Sequence, residues 1–367
     1  MKSLFDQTQF AGMKLKNRFF RSATYDGVAG EDGRMTQELV QVYENLARGG
    51  VGTIITGLTA VTKLEQLYQG QMALYDDSYI DEYKKLVDVV HSYGGNIIMQ
   101  LACLGSQASP ELAGGKVMWG PSKVLDTGYN TTPQEMTTEE ILFVQTAFAD
   151  AALRAKKAGF DGVQLHSAHG YLLSKFLNPY YNQRTDCYGG SIENRARMVV
   201  ETYKAVREKV GPEYPILIKI NCEDFMDQGM TFEECKYVCK TLAELGISAI
   251  EVSGGSRSSR MNKGPSRLIR RGQESYFRPY ADELAQELTV PVILVGGNRE
   301  FNQLTEIINQ TAIEYIALSR SLIRETDLIN RWQRGELDPA KCVFCNKCYN
   351  PGGTICIFKR QMVSSGE

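Results

Sequence analysis

Long apolar runs are missing from this chain of 367 residues: none approaches the roughly 20 residues needed to cross a bilayer. The opening segment, Met1-Lys-Ser-Leu-Phe-Asp-Gln-Thr-Gln-Phe10, lacks the apolar core of a secretory signal. An excess of one charge is missing too. With 41 basic and 43 acidic side chains the net charge is -2, which gives no basis for a nucleic-acid partner or an anionic membrane surface. No Gly-x-Gly-x-x-Gly joins a first strand to a first helix, which argues against an open dinucleotide-binding sheet. The 9 cysteines are an odd number, and Cys103, Cys187 and Cys222 stand singly. A disulfide framework is therefore not expected, and a reduced, cytoplasmic compartment is. Histidine is scarce, with only 3 in the chain.

Apolar residues make up 43% of the chain, enough for a sizeable core, and the 23% of charged residues is ordinary for a globular protein. Strand-like segments fall near Arg18–Ser22, Gly52–Thr56, Asn96–Leu101, Gly162–His166, Ile216–Ile220, Ala249–Ser253, Val290–Val295 and Tyr315–Leu318. Helical periodicity lies between them, as in Ile80–Tyr93, Thr138–Lys157 with its Thr-Thr-Glu-Glu start, Ile192–Val210, Thr231–Leu245, Tyr276–Leu288 and Asn302–Asn309. Eight such alternations predict a parallel sheet closed as a (β/α)8 TIM barrel over residues 1–335, followed by a cysteine-rich tail, 336–367. A doubly wound open sheet is the structural alternative.

Two of the three histidines stand together, in Gly162-Val-Gln-Leu-His-Ser-Ala-His-Gly-Tyr-Leu-Leu-Ser-Lys-Phe-Leu-Asn-Pro179. A His-x2-His pair could ligate zinc, but no third ligand follows at an obvious spacing. It could equally be a satisfied core pair. His166, His169 and Tyr171 follow an apolar strand directly, however, and two imidazoles with a phenol at a strand's C-terminal end can bind a carbonyl oxygen and deliver a proton beside it. That is chemistry for an activated alkene. The next stretch, Asn182 to Arg197, is too polar and Gly-rich for core and reads as an ordered loop entering a helix with Ser191 as N-cap.

His-x-x-His-Gly-Tyr-Leu, then Phe-Leu-x-Pro, then Asn-x-Arg-Thr-Asp-x-Tyr-Gly-Gly-Ser-x-Glu-Asn-Arg, resembles the signature of the old yellow enzyme family of FMN-dependent ene-reductases. The resemblance runs from about Phe5 to about Arg331, and only a subset of the family, the dienoyl-thioester reductases, carries cysteines beyond it. It implies the barrel, FMN, NAD(P)H as electron donor and an electron-poor alkene as small-molecule substrate, with Tyr171, His166 and His169 as catalytic residues. A homo-oligomer is compatible with it. Two alternatives stay open: a flavin-dependent demethylase-type barrel, and a flavin-binding electron-transfer or redox-sensing protein signalling through the tail.

A flavin needs an amide for its pyrimidine edge, a cation beside N1/C2=O, and backbone N–H groups with an arginine for its phosphate. Gln100 ends the third strand and Lys219 the fifth. A lysine in Ile216-Leu-Ile-Lys-Ile220 calls for an anionic partner, which could be the flavin or else Glu223 or Asp224. Gly296-Gly297-Asn298 after the seventh strand and Ser319-Arg320 after the eighth match the loops where barrels bind phosphate. By resemblance Ser22, Ala23 and Thr24 would meet the ring. The chain departs from much of the family in having Tyr25 where threonine or cysteine is common and Lys219 where arginine is.

Three further segments carry expectations. Ser106–Pro133 is an insertion expected to cap one side of the barrel mouth. Ser253–Gly272 holds Arg257, Arg260, Lys263, Arg267, Arg270 and Arg271 without one acid, and reads either as a solvated loop or as a lid for an anionic group. Cys342, Cys345, Cys348 and Cys356 suit an iron–sulfur cluster or a structural zinc, with a metal-free tail as the alternative. Asn346, Lys347, Asn350, Pro351, Gly352 and Gly353 make that segment polar and turn-rich.

Overall fold

The computed structural model describes residues 1–349 and 352–359. Asn350 and Pro351 of the turn-rich tail, and residues 360–367, lie outside them.

The strands are β1 Phe19–Arg21, β2 Thr53–Ile55, β3 Asn96–Ala102, β4 Gly162–Ser167, β5 Ile216–Asn221, β6 Ala249–Ser253, β7 Val292–Leu294 and β8 Tyr315–Leu318. Each pairs in parallel with the next, β8 returns to β1, and β3 pairs with β4, so the sheet is closed. The helices are α1 Gln37–Arg48, α2 Ile80–Ser92, α3 Thr138–Lys157, α4 Arg197–Val210, α5 Phe232–Glu244, α6 Arg278–Glu287, α7 Phe301–Gln310 and α8 Leu328–Gln333. The result is a (β/α)8 barrel. Every residue of β4 and β5 is buried, as a sheet covered on both faces requires. Two helices begin in reciprocal capping boxes, Thr137 with Glu140 on α3 and Thr231 with Glu234 on α5.

Boundaries differ from expectation where local chemistry intervenes. The helix expected over Ile192–Val210 breaks at Ala196, where Arg195 turns inward to the Leu177 carbonyl and Glu234. Ser191 occupies the N-cap position, but its side chain makes no capping hydrogen bond. β7 is shorter than Val290–Val295, because Pro291 offers no N–H at its start and the chain turns at Gly296.

Side-chain alternation along the strands divides the barrel interior into layers. Phe20, Ile55, Ile98, Leu217, Ala249, Ile293, Tyr315 and Ala317 form an apolar lower layer. A hairpin of Thr8–Phe10 and Met13–Leu15 plugs it from below, with Phe10 against Tyr315 at 5.6 Å between ring centroids. Two residues further along β1, β3, β5 and β6 the inward positions turn polar: Ser22 follows Phe20, Gln100 follows Ile98, Lys219 follows Leu217 and Glu251 follows Ala249. Phe20→Ala is expected to lower stability by about 3–5 kcal/mol, the range for truncating a buried aromatic. Urea denaturation checks it, and a loss below 1 kcal/mol would show the layer to be loosely packed.

Candidate active site

The C-terminal ends of the strands enclose a cavity of about 710 Å³. Its floor is a chain of buried hydrogen bonds across five strands. Gln100 Nε2 donates to Gln164 Oε1 at 2.8 Å, and Gln164 Nε2 donates to Glu251 Oε2 at 2.8 Å. Ser22 Oγ donates to Glu251 Oε1 at 2.6 Å and accepts from Lys219 Nζ at 2.7 Å, while Lys219 lies 3.2 Å from Glu251. The anionic protein partner of Lys219 is therefore Glu251, not Glu223 or Asp224. Burial lowers the Lys219 pKa and Glu251 opposes that shift. Sequence reasoning missed Glu251 and Gln164, although each is a polar residue at an inward position of an apolar strand, the signal that picked out Lys219.

One wall carries the two imidazoles and the phenol. His166 lies 5.1 Å from His169 and 4.5 Å from Tyr171 between ring centroids. β4 ends in a left-handed turn, His169 at φ 63° and Gly170 at φ 81°, which brings Tyr171 back over the cavity as N-cap of a short helix, Leu172–Leu177. That turn is held from behind. The His169 N–H donates to Asn221 Oδ1 at 3.1 Å, Asn221 donates to Asp224 at 2.8 Å, and His169 Nε2 meets Ser253 Oγ at 2.7 Å. His166 Nδ1 is buried without a partner among the described residues. Burial holds both imidazoles well below the ordinary histidine pKa, helped by Lys219, so each is neutral at physiological pH and offers one N–H. Burial likewise pushes Tyr171 well above the ordinary phenol value, which keeps its proton in place.

The opposite end combines a glycine turn with a buried arginine. Gly296 and Gly297 run at φ 114° and 78°, and a Cβ on Gly296 would sit 2.7 Å from Phe277, so only glycine fits. Arg320 is 5% exposed and pairs with no carboxylate among the described residues. Asn298 also lines the cavity, and its side-chain amide ties β7 to β8 through the Leu294 and Ala317 carbonyls. Thr24 Oγ1 and Ser319 Oγ share a hydrogen bond of 2.9 Å, so part of their capacity joins β1 to β8. Ser22, Ala23, Thr24 and Ser319 all line the cavity.

Three loops close the mouth, knotted at Asp126. Its carboxylate pairs with Lys175 and accepts from Gln107 Nε2 at 2.7 Å, Ser106 Oγ at 3.3 Å and Ser258 Oγ at 3.1 Å. The insertion Ser106–Pro133 thereby caps one side, as expected, and adds Gln107, Leu112 and Tyr129 to the lining. Tyr68 and Tyr129, also missed, meet hydroxyl to hydroxyl at 3.2 Å. In the basic loop Arg257 lies over Tyr129, Arg260 reaches Asp227, and Arg267 is buried among Phe225, Tyr276 and Phe277. Lys263, Arg270 and Arg271 are exposed.

Glu65 braces the loop after β3 by accepting from the Gly105 N–H at 2.8 Å, and burial pushes its pKa up to about 7. A carboxyl raised on folding stabilises the fold below its unfolded pKa near 4.5, and that contribution is lost as pH rises through about 7. Glu65→Gln is expected to remove a pH-dependent loss of roughly 3 kcal/mol between pH 5 and 8. Denaturation midpoints of parent and variant that fall in parallel over that window would contradict the assignment.

Cys342, Cys345, Cys348 and Cys356 sense one another electrostatically, yet among the described residues no three His, Cys, Asp or Glu side chains are grouped to hold a metal. The Cys342 thiol accepts from the Phe344 N–H at 3.5 Å, and Cys356 Sγ lies 4.0 Å from Arg324. The turn through Phe344 instead brings that ring onto Arg320.

FMN fits what the cavity leaves open. Gln100 lines the cavity, His166 Nδ1 has no hydrogen-bond partner among the described residues, Lys219 is a buried lysine at the cavity floor, and Arg320 flanks a glycine turn. A barrel with these groups at its strand ends defines a flavin-dependent oxidoreductase. The profile of the NADH:flavin oxidoreductase / NADH oxidase family matches residues 3–338. The chain is 35% identical over 347 residues to NADH oxidase of Thermoanaerobacter brockii, covering 94% of this chain and 53% of that protein. It is 33% identical over 296 residues to NADPH dehydrogenase of Bacillus velezensis, covering 80% and 83%. The old yellow enzyme homologue of Zymomonas mobilis superposes with a TM-score of 0.79 at 22% identity, covering 92% and 94%. The chain belongs to the NADH:flavin oxidoreductase / NADH oxidase family, that of old yellow enzyme, whose cofactors are FMN and NAD(P)H. It spans about half the length of the Thermoanaerobacter relative.

Proposed function

We propose that this chain uses NAD(P)H to reduce the C=C bond of alkenes conjugated to a carbonyl or carboxylate. The observation that carries the reading is the placement of two neutral imidazoles and a protonated phenol on one cavity wall, with 4.5 Å between the His166 and Tyr171 rings. FMN, when bound, supplies the two-electron carrier between nicotinamide and alkene. His166 and His169 each donate an N–H toward the substrate oxygen and draw electron density from the double bond. Ser253 and Asn221 fix the His169 ring and backbone, so the two donors converge without reorganising. Tyr171 holds its proton at Oη beside the alkene and releases it to the α-carbon. Lys219, 3.2 Å from Glu251, would supply the cation that offsets the negative charge of a reduced ring. Tyr25 lines the same cavity with its hydroxyl donated to the Gln69 carbonyl, so it would meet the cofactor through its ring and not through its hydroxyl.

Anaerobic protein reduced with NAD(P)H and then mixed with cyclohexenone, cinnamate or an enoyl thioester tests this. Reoxidation by at least one alkene, with saturated product, is expected. Reduced protein that yields electrons to dioxygen or quinones but to none of these alkenes would favour the electron-transfer reading instead.

A further inference from the structure

The cysteine tail does not trail away from the barrel. Phe344 is 3% exposed and lies under the Arg320 guanidinium, 4.5 Å from ring centroid to Cζ. Asn346 Oδ1 accepts from Arg320 Nη1, and Asn346 Nδ2 donates to the Ser266 carbonyl at 2.9 Å. Arg320 has its remaining contacts at the Arg267 carbonyl, 2.9 Å, and Tyr276 Oη, 3.3 Å. The contacts of this buried guanidinium shown among the described residues are thus all to neutral groups, and it borders the cavity.

The backbone beneath those contacts is unusual. Phe344 at φ 51° and Asn346 at φ 58° are both left-handed. Asparagine tolerates that conformation, whereas a phenylalanine holds it only where its surroundings over-determine it. What over-determines it here is the stacking on Arg320. Beyond the turn, the Thr354 N–H bonds the Asp26 carbonyl and Thr354 Oγ1 the Tyr25 carbonyl, so the segment reaches from the end of β8 to the end of β1.

We infer that the Phe344–Asn346 turn is part of the FMN phosphate site, holding the Arg320 guanidinium aimed at the phosphate. The inference rests on FMN occupying the cavity, though not on which acceptor the enzyme reduces. A buried arginine without a carboxylate awaits an anion, and neutral contacts direct its charge without quenching it.

The test compares FMN with riboflavin, which has the same ring and no phosphate, by flavin-fluorescence titration of the full-length apoprotein. Asn346→Asp keeps the shape and the left-handed tolerance but sets a carboxylate against Arg320. It is expected to weaken FMN by at least about tenfold, the scale of a charge-assisted contact, with riboflavin unchanged. Phe344→Ala should weaken FMN about tenfold with riboflavin within twofold, while Val343→Ala, at a 53% exposed neighbour, changes neither. FMN affinity within twofold of the parent in both variants overturns the inference, and so does an equal loss for both flavins. Normal FMN binding with no alkene reduced would refute the proposed function alone.

Discussion

With Tyr171 replaced by phenylalanine, reduction of the bound flavin by NAD(P)H is expected to stay within about twofold of the parent. Transfer to the alkene is expected to slow by roughly two to four orders of magnitude, the usual consequence of losing a general acid. The asymmetry follows from where the hydroxyl sits. Tyr171 packs among Leu58, Leu67, Ala102, Leu104, Ala108 and Tyr68 on the mouth side of the cavity, away from the Gln100–Glu251 floor. Phenylalanine preserves that packing and removes only the proton. Stopped-flow measurement of the two half-reactions separates the outcomes. Parallel slowing of both would make Tyr171 a structural residue, and no slowing of either would mean that water or another acid protonates the product.

His166→Ala combined with His169→Ala carries the second large effect. Each neutral imidazole supplies one N–H to the same oxygen, and two such bonds to an oxygen bearing negative charge are worth about 1.5–3 kcal/mol each. Phenol binding to the oxidised protein is accordingly expected to weaken at least a hundredfold, and the long-wavelength absorbance of a phenolate over the flavin to disappear. The pH dependence gives an independent check. Burial holds both histidines below their usual range, so neither gains a proton between pH 6 and 8 and phenol affinity should show no histidine ionisation there. An unaltered phenol titration in the double variant would return the pair to the role of core residues.

How much of this was readable in advance depends on the kind of signal. The barrel was legible because short strand-like segments, such as β5 with its apolar run broken only by Lys219 before Asn221, alternate with stretches of helical periodicity, which is local information. Lys219 was legible because a charge in such a run stands out. Glu251 gives the same signal one strand over, and was passed by because the lysine's partner was sought nearby in sequence, at Glu223 and Asp224. Parallel register places Lys219 opposite Glu251, and no local pattern discloses that pairing. The structural use of Asn298 was hidden for a related reason: its position beside the glycine turn suited a ligand, and no local pattern shows that its amide also ties two strand ends. The density of cysteines in the tail was plain, but the contact of Phe344 with Arg320 depends on a backbone turn that the spacing does not encode.

Asp126 has a consequence for anyone wishing to redesign this enzyme. Its one carboxylate is gripped from three separate stretches of chain: its own insertion with Gln107, the helix after β4 through Lys175, and the loop after β6 through Ser258. Loop grafting, the usual way to give a barrel a new specificity, assumes that each crossover can be exchanged by itself. Here a donor loop that lacks Asp126 or Lys175 would leave an unmatched charge at the rim, and one that lacks Gln107 or Ser258 would take a hydrogen bond and its anchor from the carboxylate. The transplantable unit at this mouth is Gln107, Asp126, Lys175 and Ser258 moved together, so libraries that vary one loop at a time would sample mostly collapsed entrances.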